Sequence, residues 1–110
     1  MITTHVLDTA IGRPAVGLTV ILEMRQASDW SPIARGVTDA NGRLTTVAED
    51  VLAPGIYCLT FDTGEYHRDR GIGVPFFPEV KITFTVRDGS EHFHVPLLLS
   101  PYGYSTYRGS

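Results

Sequence analysis

Three of the four histidines in this 110-residue chain sit where imidazole chemistry is conceivable. His92 and His94 are two apart in Glu91-His92-Phe93-His94-Val95-Pro96-Leu97-Leu98-Leu99-Ser100, so an extended strand puts both rings on one face. That spacing can chelate a metal, with His5 as a conceivable third ligand. No carboxylate partner accompanies the trio, and the single cysteine, Cys58, lies in the apolar run Ile56-Tyr57-Cys58-Leu59, where a small buried hydrophobe is the expected role. No metal and no cofactor are therefore expected. His5 lies in Thr3-Thr4-His5-Val6-Leu7-Asp8. Alternation sets Thr3, His5 and Leu7 on one side and Thr4, Val6 and Asp8 on the other. Neither side is a clean core pattern, which leaves His5 open between a hydrogen-bonded structural role and a functional one. Arg43 follows the turn Asp39-Ala40-Asn41-Gly42 at the start of a short strand. It reads either as a solvated turn residue or as a fixed cation for an anionic planar substrate or an oxyanion. No Ser-His-Asp pattern, glycine-rich phosphate loop or pair of carboxylates emerges; Asp8, Asp39 and Asp62 read as strand-end and turn residues. The tail Ser105-Thr106-Tyr107-Arg108-Gly109-Ser110 comes soon after the apolar run Val95-Pro96-Leu97-Leu98-Leu99, although terminal residues are ordinarily frayed.

The elements that must position these groups are short strands. Eleven glycines and seven prolines fall between runs rich in Val, Ile, Thr, Tyr and Phe, the punctuation of an all-β domain. Strands are expected over 3–9, 18–26, 31–38, 43–46, 55–62, 79–87, 92–100 and 104–108, with a short helix over 64–71. Asp39-Ala40-Asn41-Gly42 and Asp88-Gly89 are turn signals placed for hairpin connections. Eight strands and one short helix argue for a β-sandwich spanning residues 1–110 as a single domain. A hydrophobic content of 43%, a charged content of 19% and a net charge of −3 leave no basic footprint for nucleic acid. No stretch approaches the roughly 18 apolar residues of a membrane span. The opening Met1-Ile2-Thr3-Thr4-His5 lacks the pattern of a secretion signal, so a cytoplasmic protein is expected.

One strand is unusual. In 92–100, Phe93, Val95, Leu97 and Leu99 share the core side, while His92, His94, Pro96 and Leu98 share the other. Both faces from Val95 to Leu99 are apolar, although the outer face of a small two-sheet sandwich is normally wet. Another copy of the subunit is the simplest cover.

Four stretches together resemble the transthyretin-related family: Thr4-His5-Val6-Leu7-Asp8-Thr9 with Gly12-Arg13-Pro14-Ala15, Thr38-Asp39-Ala40-Asn41-Gly42-Arg43-Leu44, Phe76-Phe77-Pro78-Glu79-Val80, and the long ending from His92 to Ser110. The resemblance covers essentially the whole chain and implies a transthyretin-like sandwich assembled as a homotetramer, a dimer of dimers with a channel between facing sheets. His5, His94, Pro96, Leu98, Ser105 and Tyr107 would face that channel. The family has a carrier branch, for thyroid hormones, and an enzyme branch that hydrolyses 5-hydroxyisourate to 2-oxo-4-hydroxy-4-carboxy-5-ureidoimidazoline. At His5, Arg43, His94 and Tyr107-Arg108-Gly109-Ser110 the chain is similar to the enzymes. The resemblance thus implies His5, Arg43 and His94 as catalytic residues and the four tail residues as substrate-binding. His92 is open between a third site histidine and a solvent-facing neighbour, the latter being favoured. One histidine would polarise water and the other orient it or donate to the leaving nitrogen. A small-molecule carrier is the alternative.

Overall fold

The computed structural model describes residues 1–45 and 51–110. Strand β1 (Ile2–Asp8) is followed by the two-residue β2 (Arg13–Pro14), β3 (Thr19–Gln26), β4 (Asp29–Val37), β5 (Arg43–Thr45) and β6 (Gly55–Phe61). Helix α1 (Thr63–Asp69) precedes β7 (Val80–Val86), β8 (Phe93–His94), β9 (Leu97–Ser100) and β10 (Gly103–Thr106). One sheet runs β4-β3-β6-β7, and the other runs β10-β9-β1-β2 with β5 and β8 also on β1. Thr46, the last residue of the expected strand 43–46 that corresponds to β5, lies outside the described residues.

β1 is the axis of the site-bearing sheet. Its burial alternates, with Ile2, Thr4, Val6 and Asp8 inward and Thr3, His5 and Leu7 half-buried on the outer face. The expected strand 92–100 is split into β8 and β9, which nonetheless share one parallel register on β1: Ile2 pairs with Phe93 and Val6 with Leu97. Pro96 lies in the gap, and its missing N–H explains the break in the ladder. Phe93, Val95, Leu97 and Leu99 point inward as expected and meet Val20, Leu22, Leu59 and Phe61 of the opposite sheet. Each such fully buried side chain stabilises the fold by about 1.5–3 kcal/mol relative to exposure. Cys58 is buried, as its apolar surroundings require.

Both turn signals need correction. β4 and β7 belong to one sheet and β5 and β8 to the other, so 39–42 and Asp88-Gly89 carry the chain between sheets and close no hairpin. Turn residues specify a local reversal; which sheet receives the next strand is decided by its apolar face. The tight hairpins join β3 to β4, where Gln26 pairs with Asp29, and β9 to β10, where Ser100 pairs with Gly103. The first turns on Ala27 at φ 57°, a conformation that the turn code reserves for Gly or Asn.

The helix begins one residue earlier than expected because Asp62 caps it, its Oδ1 accepting from the Glu65 N–H at 3.1 Å. Beneath it lies a polar interior. The Tyr66 hydroxyl donates to Asp8 Oδ2 at 2.7 Å, and burial, reinforced by that carboxylate, pushes the phenol up to about 12. His67 is also buried, and among the described residues neither ring nitrogen has a hydrogen-bond partner. Burial, helped by Arg70 and opposed by Asp8, pushes its imidazole pKa down.

Candidate active site

Register on β1 decides which of the expected residues meet. Thr3 lies opposite His94 of β8 on one side and Thr45 of β5 on the other; His5 lies opposite Arg43. Adjacent strands sit about 4.8 Å apart, so His94, Thr3, His5 and Arg43 form a diagonal patch on the outer face of the sheet.

Arg43 is placed by its turn. The Asp39 carboxylate accepts from the N–H groups of Asn41 at 2.8 Å and Arg43 at 3.0 Å. Those bonds, Arg43's first, hold its pKa below the usual carboxylate range, with the charges of Arg43 and His5 adding. Gly42 adopts φ 72°, and a Cβ there would lie 2.6 Å from the Val6 carbonyl oxygen and 2.9 Å from Pro14 Cβ. The bare glycine lets its own carbonyl accept from the Val6 N–H at 2.8 Å, which docks the turn on β1 just before Arg43 emerges.

The surroundings of His94 disfavour its charged form. Desolvation comes first, then the charges of Arg43, His92 and His5; together they push its pKa down against a hydrogen bond to the Thr3 main chain. The ring is therefore neutral near pH 7 and free to accept a proton. The Thr3 hydroxyl lies 2.8 Å from His94 Nδ1 and 2.8 Å from His92 Nε2, bridging the two rings. Thr3 was not among the expected site residues, and the signal for it was the alternation that sets it on the His5 face. His92 is exposed, yet tied to the same hydroxyl. Among the described residues no three His, Cys, Asp or Glu side chains converge as a metal site.

The tail is ordered against this patch. The Gly109 N–H donates to the His94 carbonyl at 2.8 Å in a single antiparallel bridge. A Cβ on Gly109 would stand 2.5 Å from His94 Cδ2 and 3.3 Å from Pro96 Cγ, so only glycine passes this close to the imidazole. Tyr107 and Arg108 turn elsewhere, lining a cavity of about 240 Å³ with Ile82, Phe84, Phe93 and Val95. The Arg108 guanidinium lies 3.3 Å from Glu91 Oε1 and 4.7 Å from the centre of the Phe93 ring. Ser110 is exposed. Thus His5, Arg43, His94 and Gly109 come together within one chain, while Tyr107 and Arg108 sit at the neighbouring edge.

Farther along the same face Leu7 pairs with Leu98, and Ser105 lies opposite Leu98 on β10. Leu7 and Leu98 are half-buried beside the buried Pro96, the outward apolar surface expected from the sequence. A larger groove of about 620 Å³ crosses the outer face of the other sheet, lined by Ile21, Glu23, Pro32, Arg35 and Lys81 among others. It holds no histidine.

Residues 2–109 match the model of the HIUase/Transthyretin family. The chain is 46% identical over 112 residues to the 5-hydroxyisourate hydrolase of Caulobacter vibrioides, covering 99% of this chain and 97% of that protein. It superposes on Klebsiella pneumoniae 5-hydroxyisourate hydrolase with a TM-score of 0.87 at 40% identity, over 99% and 97% of the two chains. Sea bream transthyretin, solved in complex with thyroxine, superposes with a TM-score of 0.91 at 32% identity, over 98% and 93%.

Proposed function

Because the chain belongs to the HIUase/Transthyretin family and shares over 40% identity with its hydrolases, we infer that it is a 5-hydroxyisourate hydrolase. Backbone similarity cannot make that choice, since the hydrolase and the transthyretin superpose about equally well. The observation that carries it is the cluster of His5, Arg43 and His94 on the sheet face that also presents Leu7 and Leu98. A carrier of an aromatic hormone wants an apolar channel, and two imidazoles beside a guanidinium are the wrong lining.

In the mechanism we propose, His94 Nε2 takes a proton from water as the oxygen attacks the ring amide carbonyl. A C–O bond forms, and the negative charge that develops on the carbonyl oxygen is stabilised by the Arg43 guanidinium, a fixed cation worth most where water is excluded. The tetrahedral intermediate then expels the ring nitrogen, which receives its proton from an imidazole, with His5 orienting the water or donating. His94 suits the role of base because desolvation and its cationic neighbours favour the neutral ring. Gly109 keeps the tail pressed against that ring, and Tyr107, Arg108 and Ser110 bind substrate at its edge. The site needs no cofactor.

A homotetramer belongs to the same proposal. The half-buried Leu7 and Leu98 present an outward apolar surface that a second subunit would cover, turning the open patch into a closed channel. Among the described residues no helix is long and apolar enough to cross a membrane. A cytoplasmic location is proposed with it, in keeping with the free, buried Cys58. The test is the decay of freshly generated 5-hydroxyisourate, followed by ultraviolet absorbance. Acceleration by purified protein is expected; spontaneous decay at an unchanged rate would end the enzyme reading.

A further inference from the structure

The Thr3 hydroxyl carries one hydrogen yet lies 2.8 Å from each of two imidazole nitrogens. A hydroxyl donates once and can accept twice, so at most one of the two ring nitrogens accepts from it and any other nitrogen bonded to it must carry a hydrogen. Three orders exist. If Thr3 donates to His94 Nδ1, a neutral His94 carries its hydrogen on Nε2 and has no lone pair for water. If Thr3 donates to His92 Nε2, His94 donates from Nδ1 and leaves Nε2 bare. If Thr3 accepts from both rings, Nε2 of His94 is again bare but Nε2 of His92 already carries a hydrogen. Only the second order both frees His94 as base and leaves His92 able to receive a proton.

We propose that Thr3 and His92 form a proton store behind the catalytic imidazole: Thr3 holds His94 as the Nδ1–H tautomer, and the proton taken from water is displaced onto His92 until the leaving nitrogen requires it. The inference rests on the assignment of His94 as base. Each transfer balances. As Nε2 of His94 gains the water proton, its Nδ1 proton passes to Thr3 Oγ1, and the Thr3 hydrogen passes to His92 Nε2. The positive charge then rests on His92; as Nε2 of His94 gives its proton to the leaving nitrogen, the His92 Nε2 proton passes back to Thr3 Oγ1 and the Thr3 hydrogen to Nδ1 of His94. No oxidant, metal or further reactant enters.

The surroundings favour that displacement. An imidazolium at His94 would face Arg43 on β5 and His5 on β1 from a partly desolvated position. His92 is exposed, where water solvates the charge; the neighbouring Glu91 carboxylate and the Arg108 guanidinium, which lies 3.3 Å from it and 3.4 Å from the His92 carbonyl, offset one another. Thr3 thus acts as a positioning residue and His92 as the terminal acceptor, in addition to His5, Arg43 and His94.

Nitrogen-15 shifts of histidine-labelled protein report the tautomer without substrate. His94 is expected to carry its hydrogen on Nδ1 in the parent and to lose that preference in Thr3→Val. In turnover, Thr3→Val and His92→Ala are each expected to lower kcat by about tenfold or more with KM little changed. The parent's rate in mixed light and heavy water should curve, as several moving protons demand, and become linear in both variants. Thr3→Ser, which keeps the hydroxyl, should restore kcat and curvature. An Nε2–H tautomer of His94 in the parent would overturn the proposal. So would parental kcat and curvature in Thr3→Val or, should that variant not fold, in His92→Ala. If the parent does not hydrolyse 5-hydroxyisourate, the functional reading falls, while the tautomer still judges the orienting role of Thr3.

Discussion

Gly109→Ala isolates the fit between the tail and His94, the imidazole proposed as the base. The added Cβ would stand 2.5 Å from His94 Cδ2 and 3.3 Å from both His94 Cγ and Pro96 Cγ. Carbon–carbon contacts settle at about 3.5–4.0 Å, so the ring or the tail must give by about 1 Å. Neither is free to do so. The ring is held at Nδ1 by Thr3 at 2.8 Å, and the tail by its N–H to the His94 carbonyl at 2.8 Å. Losing one such bond costs about 0.5–1.5 kcal/mol net, so the unfolding midpoint should fall by only a few degrees. A catalytic group displaced by about 1 Å, by contrast, costs about 100-fold in rate. The expected result is a folded protein whose kcat for 5-hydroxyisourate, followed by ultraviolet absorbance, falls by about two orders of magnitude. Gly103→Ala is the control, since the nearest atom to its Cβ is Ser100 Oγ at an ordinary 3.7 Å. Parental kcat in Gly109→Ala would refute the claim that the tail and His94 are fitted to each other.

Other parts of the molecule answer to different measurements. His67 has a folded pKa below its unfolded value of about 6.5, so across that interval the unfolded chain binds more protons. Stability should therefore be full above about pH 6.5 and decline as the pH falls through that window. The groups facing the ring are Asp8 from β1, which favours the proton, and Arg70 from the end of α1, which opposes it, with Tyr66 packed alongside. His67→Phe should flatten the decline in calorimetric midpoint with acid. Tyr66→Phe removes the 2.7 Å bond to a buried carboxylate and should cost about 1.5–3 kcal/mol in urea unfolding. Arg43→Gln removes one of the charges that depress His94, so its imidazole should titrate at a higher pH by nuclear magnetic resonance. In the parent, kcat/KM should rise with pH through a midpoint below 6.5 as His94 loses its proton.

Strand positions and faces were the most legible part of the chain. Period-two alternation alone placed Phe93, Val95, Leu97 and Leu99 inward and His94, Pro96 and Leu98 outward, because side-chain direction in a strand is a local property. Alternation also separated Thr3, His5 and Leu7 from Thr4, Val6 and Asp8, but could not say which set faced the core. That depended on tertiary partners: Asp8 is buried because Tyr66 arrives from 58 residues away to satisfy it. Sheet membership after 39–42 and Asp88-Gly89 was illegible for a similar reason, since turn chemistry does not encode the next strand's partner. The strand break at Pro96 follows from its missing N–H and was readable in hindsight. The bridging role of Thr3 was not, as hydroxyl geometry between two rings appears only once β1 and β8 are in register. The catalytic meaning of the tail came from family resemblance, whereas its ordering against His94 is a property of the fold.

Turnover of 5-hydroxyisourate by the parent and by His94→Gln, each with its unfolding midpoint, tests the account most directly. The parent is expected to hydrolyse the substrate. His94→Gln should lose about 10²–10⁴-fold in kcat, the range of a general base, at nearly unchanged stability. Parental kcat in a folded His94→Gln protein would contradict the assignment of the β1–β5–β8 face as the catalytic centre.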